Sequence, residues 1–256
     1  MSHSPAAKLA DTLARFLDPV ALALDVGIVP DAWQAELLRT RPRRSLLLCS
    51  RQSGKSTVTA LTALWQAIYE PGLIVIVSPS QRQSAEMFRT LMLYHSKLEG
   101  APAAPDESKL RAEFTNGSRI IALPGTEKTV RGLAGASLVI IDEAARVDDE
   151  LLAAVRPMLA TSEGGGRLIA LTTPAGKRGW FFEAWTKPGG DWTRTCVPAT
   201  DCPRISSEFL AEEMKELGPM RYSEEYLLEF RDDSESVFPG DLIDRAFTAE
   251  VHPLWT

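Results

Sequence analysis

The sequence predicts an α/β fold with a mainly parallel central sheet flanked by helices. Three observations carry that expectation. Continuous apolar or β-branched runs (Ser45–Cys49, Leu73–Val77, Ser137–Ile141, Arg167–Thr172) alternate with longer helical segments, as strands buried on both faces require. The first run stops at a small-residue turn ending in Gly54-Lys55-Ser56-Thr57. The third delivers two adjacent acids, Asp142-Glu143, at its C-terminal end.

The elements follow in order. Ala6–Phe16 and Pro19–Val26 read as short helices, and Pro30–Leu38 as a third, with Asp31 available as its cap. Strand Ser45–Cys49, a loop and helix Lys55–Tyr69 come next. Glu70-Pro71-Gly72 breaks that helix. Strand Leu73–Val77 closes at Ser78-Pro79-Ser80, and Gln81–Leu98 is an amphipathic helix. After a loop at Gly100–Pro105, Leu110–Phe114 and Ser118–Leu123 flank Thr115-Asn116-Gly117, a hairpin signal. The loop Pro124–Arg131 leads to strand Ser137–Ile141 and helix Asp149–Leu159. Gly164-Gly165-Gly166 feeds strand Arg167–Thr172. Beyond it, Trp180–Trp185 reads as helix, Trp192–Val197 as strand, and Glu208–Leu217 and Tyr222–Phe230 as two charged helices.

The 256 residues, 45% of them hydrophobic, suffice for one large core or a core with a satellite. No apolar run approaches the roughly 18 residues of a membrane span, and the N-terminus lacks a signal-peptide pattern. A cytoplasmic location is the default expectation. Cys49, Cys196 and Cys202 form no C-x-x-C pair, and the three histidines are scattered. Disulfide, zinc and histidine-triad chemistry are therefore not expected. A net charge of −6 argues against coating nucleic acid by bulk electrostatics. Arg39, Arg41, Arg43 and Arg44 cluster before the first strand, and they read equally as a solvated rim or as a DNA contact.

A buried strand, tight loop and helix start make a phosphate-binding loop, in which backbone N–H groups and the helix dipole meet the anion. Lys55 is placed to reach the β- and γ-phosphates and the Ser56 hydroxyl to hold Mg²⁺. The loop residues Arg51, Gln52, Ser53, Gly54 and Thr57 complete the expected nucleotide contacts. The pattern is nonstandard: Cys49 replaces the usual first Gly, and Arg51 adds a second cation. In a parallel sheet the end of strand Ser137–Ile141 opens on the same edge. Asp142 is placed there to bind Mg²⁺, and Glu143 to polarise a water for attack on the γ-phosphate. The intervening chain has room for the two or three sheet elements between them.

Adenine is the expected base, since no Asn-Lys-x-Asp guanine-reading segment occurs. Gln34 has the amide to pair with adenine and Trp33 the ring to pack nearby; the alternative is a surface Gln beside a helix-packing Trp. Thr172-Thr173-Pro174 ends a strand on the same edge. Its hydroxyls either face the γ-phosphate or merely finish the strand. Arg131, before the Asp-Glu strand, is either a solvated loop residue or a cation for the transferring phosphoryl group.

Taken together, these residues resemble the ATPase domain of the large terminase subunit of tailed double-stranded-DNA bacteriophages. The resemblance rests on Trp33-Gln34, Arg51-Gln52-Ser53-Gly54-Lys55-Ser56, Ser78-Pro79-Ser80, Arg131-Gly132, Ile140–Ala145 and Thr172-Thr173-Pro174, and covers about residues 25 to 240. It implies a phosphate-loop NTPase of the RecA-like (ASCE) type with a small C-terminal helical lid. The adenine-reading glutamine would be Gln34, the Mg²⁺ ligands Ser56 and Asp142, the general base Glu143, and the coupling motif Thr172-Thr173. Arg131 and Arg51 are rival arginine fingers. The family's phosphate loop often lacks its first Gly and carries an arginine, which accounts for Cys49 and Arg51.

The implied function is an ATP-driven motor that moves viral double-stranded DNA into the procapsid. The implied partners are DNA, the portal protein, the small terminase subunit and further copies in a ring, such as a pentamer; the isolated chain is expected to be a monomer. The implied location is the host cytoplasm, transiently at the portal. The expected organisation is an ATPase core with an N-terminal adenine-binding segment over 1–200, a lid over 201–247, and a tail or linker over 248–256. Family members continue into a nuclease domain for which this chain has no room, so no nuclease activity is expected in it. The competing reading is a RecA-like helicase or translocase not involved in packaging. That reading would require a second RecA-like domain.

Overall fold

The computed structural model describes residues 5–125, 130, 132–162, 164–187 and 189–231. Three helices open it: α1 (Pro5–Leu17), α2 (Pro19–Asp25) and α3 (Ala32–Thr40). Pro19 opens α2, and Asp18 caps it by accepting from Val20 N at 3.0 Å. The remaining order is β1 (Arg44–Cys49), α4 (Lys55–Tyr69), β2 (Leu73–Ser78), α5 (Gln81–Lys97), β3 (Asp106–Glu107), β4 (Arg111–Glu113), β5 (Arg119–Pro124), β6 (Ala136–Asp142), α6 (Asp149–Ala160), β7 (Arg167–Thr172), α7 (Gly179–Thr186), β8 (Thr193–Val197) and α8 (Ser207–Glu225).

The described strands form one eight-stranded sheet in the order β3-β4-β5-β2-β6-β7-β1-β8. Six are joined by parallel pairing; at one edge β4 pairs antiparallel with β5, and β3 antiparallel with β4. The period of two divides each parallel strand between two cores. Leu47, Ile74, Ile76, Leu138, Ile140 and Ile169 pack against α2–α5. Leu46, Leu48, Val75, Val77, Val139, Ile141 and Leu168 pack against α6 and α7. Both faces are covered, which is why these strands read as unbroken apolar runs. Leu47 is fully buried, and truncating it to Ala is expected to cost about 2–5 kcal/mol.

Strand order brings the chemistry together. Strand β7 lies between β6 and β1, so the ends bearing Asp142, Thr172 and the phosphate loop stand side by side. The register pairs Asp142 with Leu171 and Leu48 with Thr172.

Most predicted elements are present within one or two residues. Three differ. Strand β3 was not expected, because two exposed residues carry no apolar signal. The two predicted C-terminal helices form one element, α8, kinked where Gly218 adopts φ 72°, ψ 164° ahead of Pro219. Helix also stops at Glu225 instead of Phe230: Leu228 takes a left-handed φ of 64°, and Tyr226 and Leu228 turn inward and are buried. Ala199, Tyr222 and Tyr226 form a small separate cluster beside the main core, with Ile205, Phe209, Leu210 and Leu217 packed against it.

Candidate active site

Cys49 ends β1, and the ladder continues one step as Ser50 N donates to Val197 O at 3.0 Å. The chain then turns sharply. Gln52 and Gly54 both have positive φ, 60° and 86°. At Gly54 a side chain would be strained by conformation and would also collide with the Gln34 amide. Ser53 Oγ donates to Ser50 O at 2.8 Å and braces the turn. Helix α4 begins at Lys55, where Val58 N donates to Gly54 O, leaving earlier N–H groups free for an anion. Lys55 is buried and Ser56 exposed at the mouth. The Cys49 thiol is fully buried, and burial pushes its pKa up. It remains a neutral packing group.

A cavity of about 510 Å³ adjoins this turn, within the size range of small-molecule sites. Lys55, Ser56 and Thr57 line it together with Gly27, Ile28, Val29 and Arg204. Gln34 forms part of the wall, but its amide is committed internally. Oε1 accepts from Asp31 N at 2.9 Å; Nε2 donates to Gly54 O at 3.2 Å and Ser53 O at 3.4 Å. Gln34 is buried, so the structure corrects the alternative of a surface Gln. Trp33 is half-buried against the core and is not among the residues lining the cavity.

Asp142 ends β6, 8% exposed, and accepts from Glu143 N at 3.1 Å. Burial and then the Glu143 charge push its carboxyl up to about 6, against the pull of Lys55. Glu143 adopts a left-handed conformation (φ 50°, ψ 46°), a strained geometry for a non-glycine residue. Cations hold both of its oxygens: Lys55 Nζ lies 3.7 Å from Oε1, and Arg146 Nη1 lies 2.8 Å from Oε2.

Arg146 was not among the predicted site residues. It also donates to Thr173 Oγ1 at 3.1 Å and to Pro174 O at 3.3 Å. Its sequence signal was an arginine three positions after Glu143 on a helical turn. Thr172 and Thr173 are buried. Thr172 Oγ1 donates to Thr173 O at 2.7 Å and accepts from Ala145 N at 3.3 Å. Both hydroxyls thus bind the Glu143 turn.

Arg51 is largely exposed and makes a two-point ion pair with Glu225 of α8, at 2.7 and 3.2 Å. Burial alone would raise the Glu225 carboxyl; the Arg51 hydrogen bonds and the charges of Arg51, Arg146 and Lys55 hold it below its ordinary value. Arg131 lies outside the described residues. Among those described, no group of three or more His, Cys, Asp or Glu gathers as for a metal. The oxygens expected to serve a metal are the Ser56 hydroxyl at the start of α4 and the Asp142 carboxylate at the end of β6. That hard-oxygen set fits Mg²⁺, which retains waters and takes further oxygens from phosphates.

Comparison with known proteins bears on the family and the fold. The sequence model described as terminase large subunit, T4likevirus-type, N-terminal, matches residues 46–245. The chain is 25% identical over 252 residues to the large terminase subunit of Thermus virus P23-45, covering 84% of this chain and 51% of that one. It is 24% identical over the same length to that of Thermus phage G20c. The chain thus spans about half the length of the curated relatives it matches. Among solved structures, the large terminase ATPase domain of Thermus phage P74-26 superposes with a TM-score of 0.69 at 22% identity, covering 81% of this chain and 96% of that one. The HK97 bacteriophage large terminase gives 0.67 at 18%, covering 84% and 55%. The ADP complex of the large terminase from a thermophilic bacteriophage gives 0.62 at 13%, covering 75% and 49%. These likenesses establish the RecA-like phosphate-loop fold. The family match spans most of the chain, from the first strand through the last helix, and on it the chain belongs to the terminase large subunit family in its N-terminal region.

Proposed function

We propose that this chain is the ATP-hydrolysing motor domain of a DNA-packaging terminase. The observation that carries the reading is the convergence of Lys55, Asp142 and Glu143 at one sheet edge, with Lys55 Nζ 3.7 Å from Glu143 Oε1. The free N–H groups of the turn and the start of α4 bind the phosphates, and Lys55 binds the β- and γ-phosphoryl oxygens. The γ-phosphate then competes with Glu143 for Lys55. Glu143 so released accepts the proton of the attacking water. Ser56 and Asp142 would hold Mg²⁺, which when bound neutralises charge on the β- and γ-phosphates. Adenine is the proposed base, with Gln34 holding the loop against which the nucleotide lies.

Arg146 joins Glu143 to the end of β7, so a shift of Glu143 is felt at Thr172-Thr173. That supports the coupling role of this segment. Arg51 is tied to Glu225 of α8, which supports a lid over 201–247 acting on a core over 1–200. Arg131 is the proposed finger acting on a neighbouring subunit, and Arg51 its rival within the subunit. The proposed partners are double-stranded DNA, the portal protein, the small terminase subunit and further copies of the chain in a ring. The proposed location is the host cytoplasm, transiently at the procapsid portal. Among the described residues no helix is long and apolar enough to cross a membrane. The family assignment favours this reading over the helicase alternative.

The test is phosphate release from Mg–ATP by this chain and by Lys55→Ala. Turnover that disappears with Lys55 supports the site. Equal turnover in the two proteins overturns it.

A further inference from the structure

We propose that Arg204 is the platform on which the nucleotide base stacks, and that the base is held by its guanidinium face instead of by the Gln34 amide. The proposal deepens the ATP-site reading and rests on it.

Lys55, Ser56 and Thr57 line the cavity where the phosphates would sit, and Ile28, Val29 and Arg204 line the same cavity, where the attached base would lie. Gln34 cannot turn to a base without abandoning Asp31 N and the carbonyls of Ser53 and Gly54. Arg204 is placed differently. Nη1 donates to Asp31 Oδ1 and Nη2 to Ser53 O, each at 2.7 Å. Both bonds leave through the edge of the guanidinium plane and fix its orientation. Neither bond uses a face of the plane, and the side chain is 45% exposed. Val29, 78% exposed and adjoining Ile28, adds apolar surface to the same cavity. A planar cation held by its edges beside apolar surface suits a flat aromatic ring. Stacking of this kind favours the larger purine over a pyrimidine without reading its edges.

The experiment is calorimetric binding of ATP, UTP and inorganic tripolyphosphate, each with Mg²⁺, to the unaltered chain and to Arg204→Lys and Arg204→Ala. Arg204→Lys keeps the charge but loses the plane. It is expected to lose roughly three- to thirty-fold more in ATP affinity than in tripolyphosphate affinity, since any loosening of Ser53 weakens both alike. In Arg204→Ala the lost charge affects ATP and UTP equally, so the ATP-over-UTP preference is expected to fall. The platform is overturned if Arg204→Lys binds ATP as the unaltered chain does, or if ATP and tripolyphosphate weaken in equal proportion with the ATP-over-UTP preference intact. Binding of neither ATP nor tripolyphosphate by the unaltered chain would instead overturn the ATP-site reading itself.

Discussion

Arg146 Nη1 lies 2.8 Å from Glu143 Oε2 and 3.1 Å from Thr173 Oγ1, so one guanidinium joins the end of β6 to the end of β7. This link orients the proposed base and gives the strand between β6 and β1 a stake in its position. Charge-assisted bonds of this kind contribute about 1.5–3 kcal/mol. Arg146→Ala is therefore expected to lower kcat by roughly ten- to a hundred-fold while ATP affinity changes little. Steady-state kinetics beside equilibrium nucleotide binding separates the two. A pure affinity loss would contradict the positioning role.

Asp142 makes an unusual pH prediction. Its carboxyl is raised from 3.8 to about 6, so the folded chain holds this proton longer than the unfolded chain does. Its contribution to stability is therefore greatest at low pH and falls as pH rises between those values. Asp142→Asn removes that penalty and is expected to stabilise the nucleotide-free chain at pH 7 by up to about 3 kcal/mol. The same change should abolish any stabilisation by Mg–ATP. Denaturant titration at pH 4 and pH 7, with and without Mg–ATP, checks both signs.

Gln34→Ala is expected to weaken ATP and tripolyphosphate binding alike. The amide braces Ser53 and Gly54, and the change leaves Asp31 N without its partner, at a cost of about 1–3 kcal/mol. Loss of ATP affinity alone would restore Gln34 as the base reader.

The Arg51–Glu225 pair connects the loop to α8, with Arg51 62% exposed. A double-mutant cycle on Arg51→Ala and Glu225→Ala is expected to show a coupling no larger than about 1 kcal/mol in stability. Its sign with pH is opposite to that of Asp142. The Glu225 carboxyl is held low, so the pair stabilises above the ordinary glutamate range and is lost as pH falls through the lowered value. A coupling that does not weaken in acid would contradict the assignment.

The parallel sheet was legible because Leu46–Cys49, Ile74–Val77 and Leu138–Ile141 are buried on both faces and carry no polar interruption. The loop was legible because Gly54-Lys55-Ser56 has a fixed relation to the strand before it and the helix after it. Contacts between distant segments were not. Glu225 meets Arg51 across 174 positions, and Arg204 meets Asp31 across 173; no local period encodes either pairing. The early end of α8 was missed because Tyr222, Tyr226 and Phe230, spaced by four, fit a helical stripe. Tertiary burial of Tyr226 and Leu228 decided the matter instead.

The central claim is that Glu143 activates water at a site that binds ATP without it. Single-turnover hydrolysis and ATP binding by Glu143→Gln test it most directly. ATP affinity is expected to stay close to that of the unaltered chain with the chemical step slowed by about two orders of magnitude or more. Hydrolysis at a near-normal rate, with ATP bound, would contradict it.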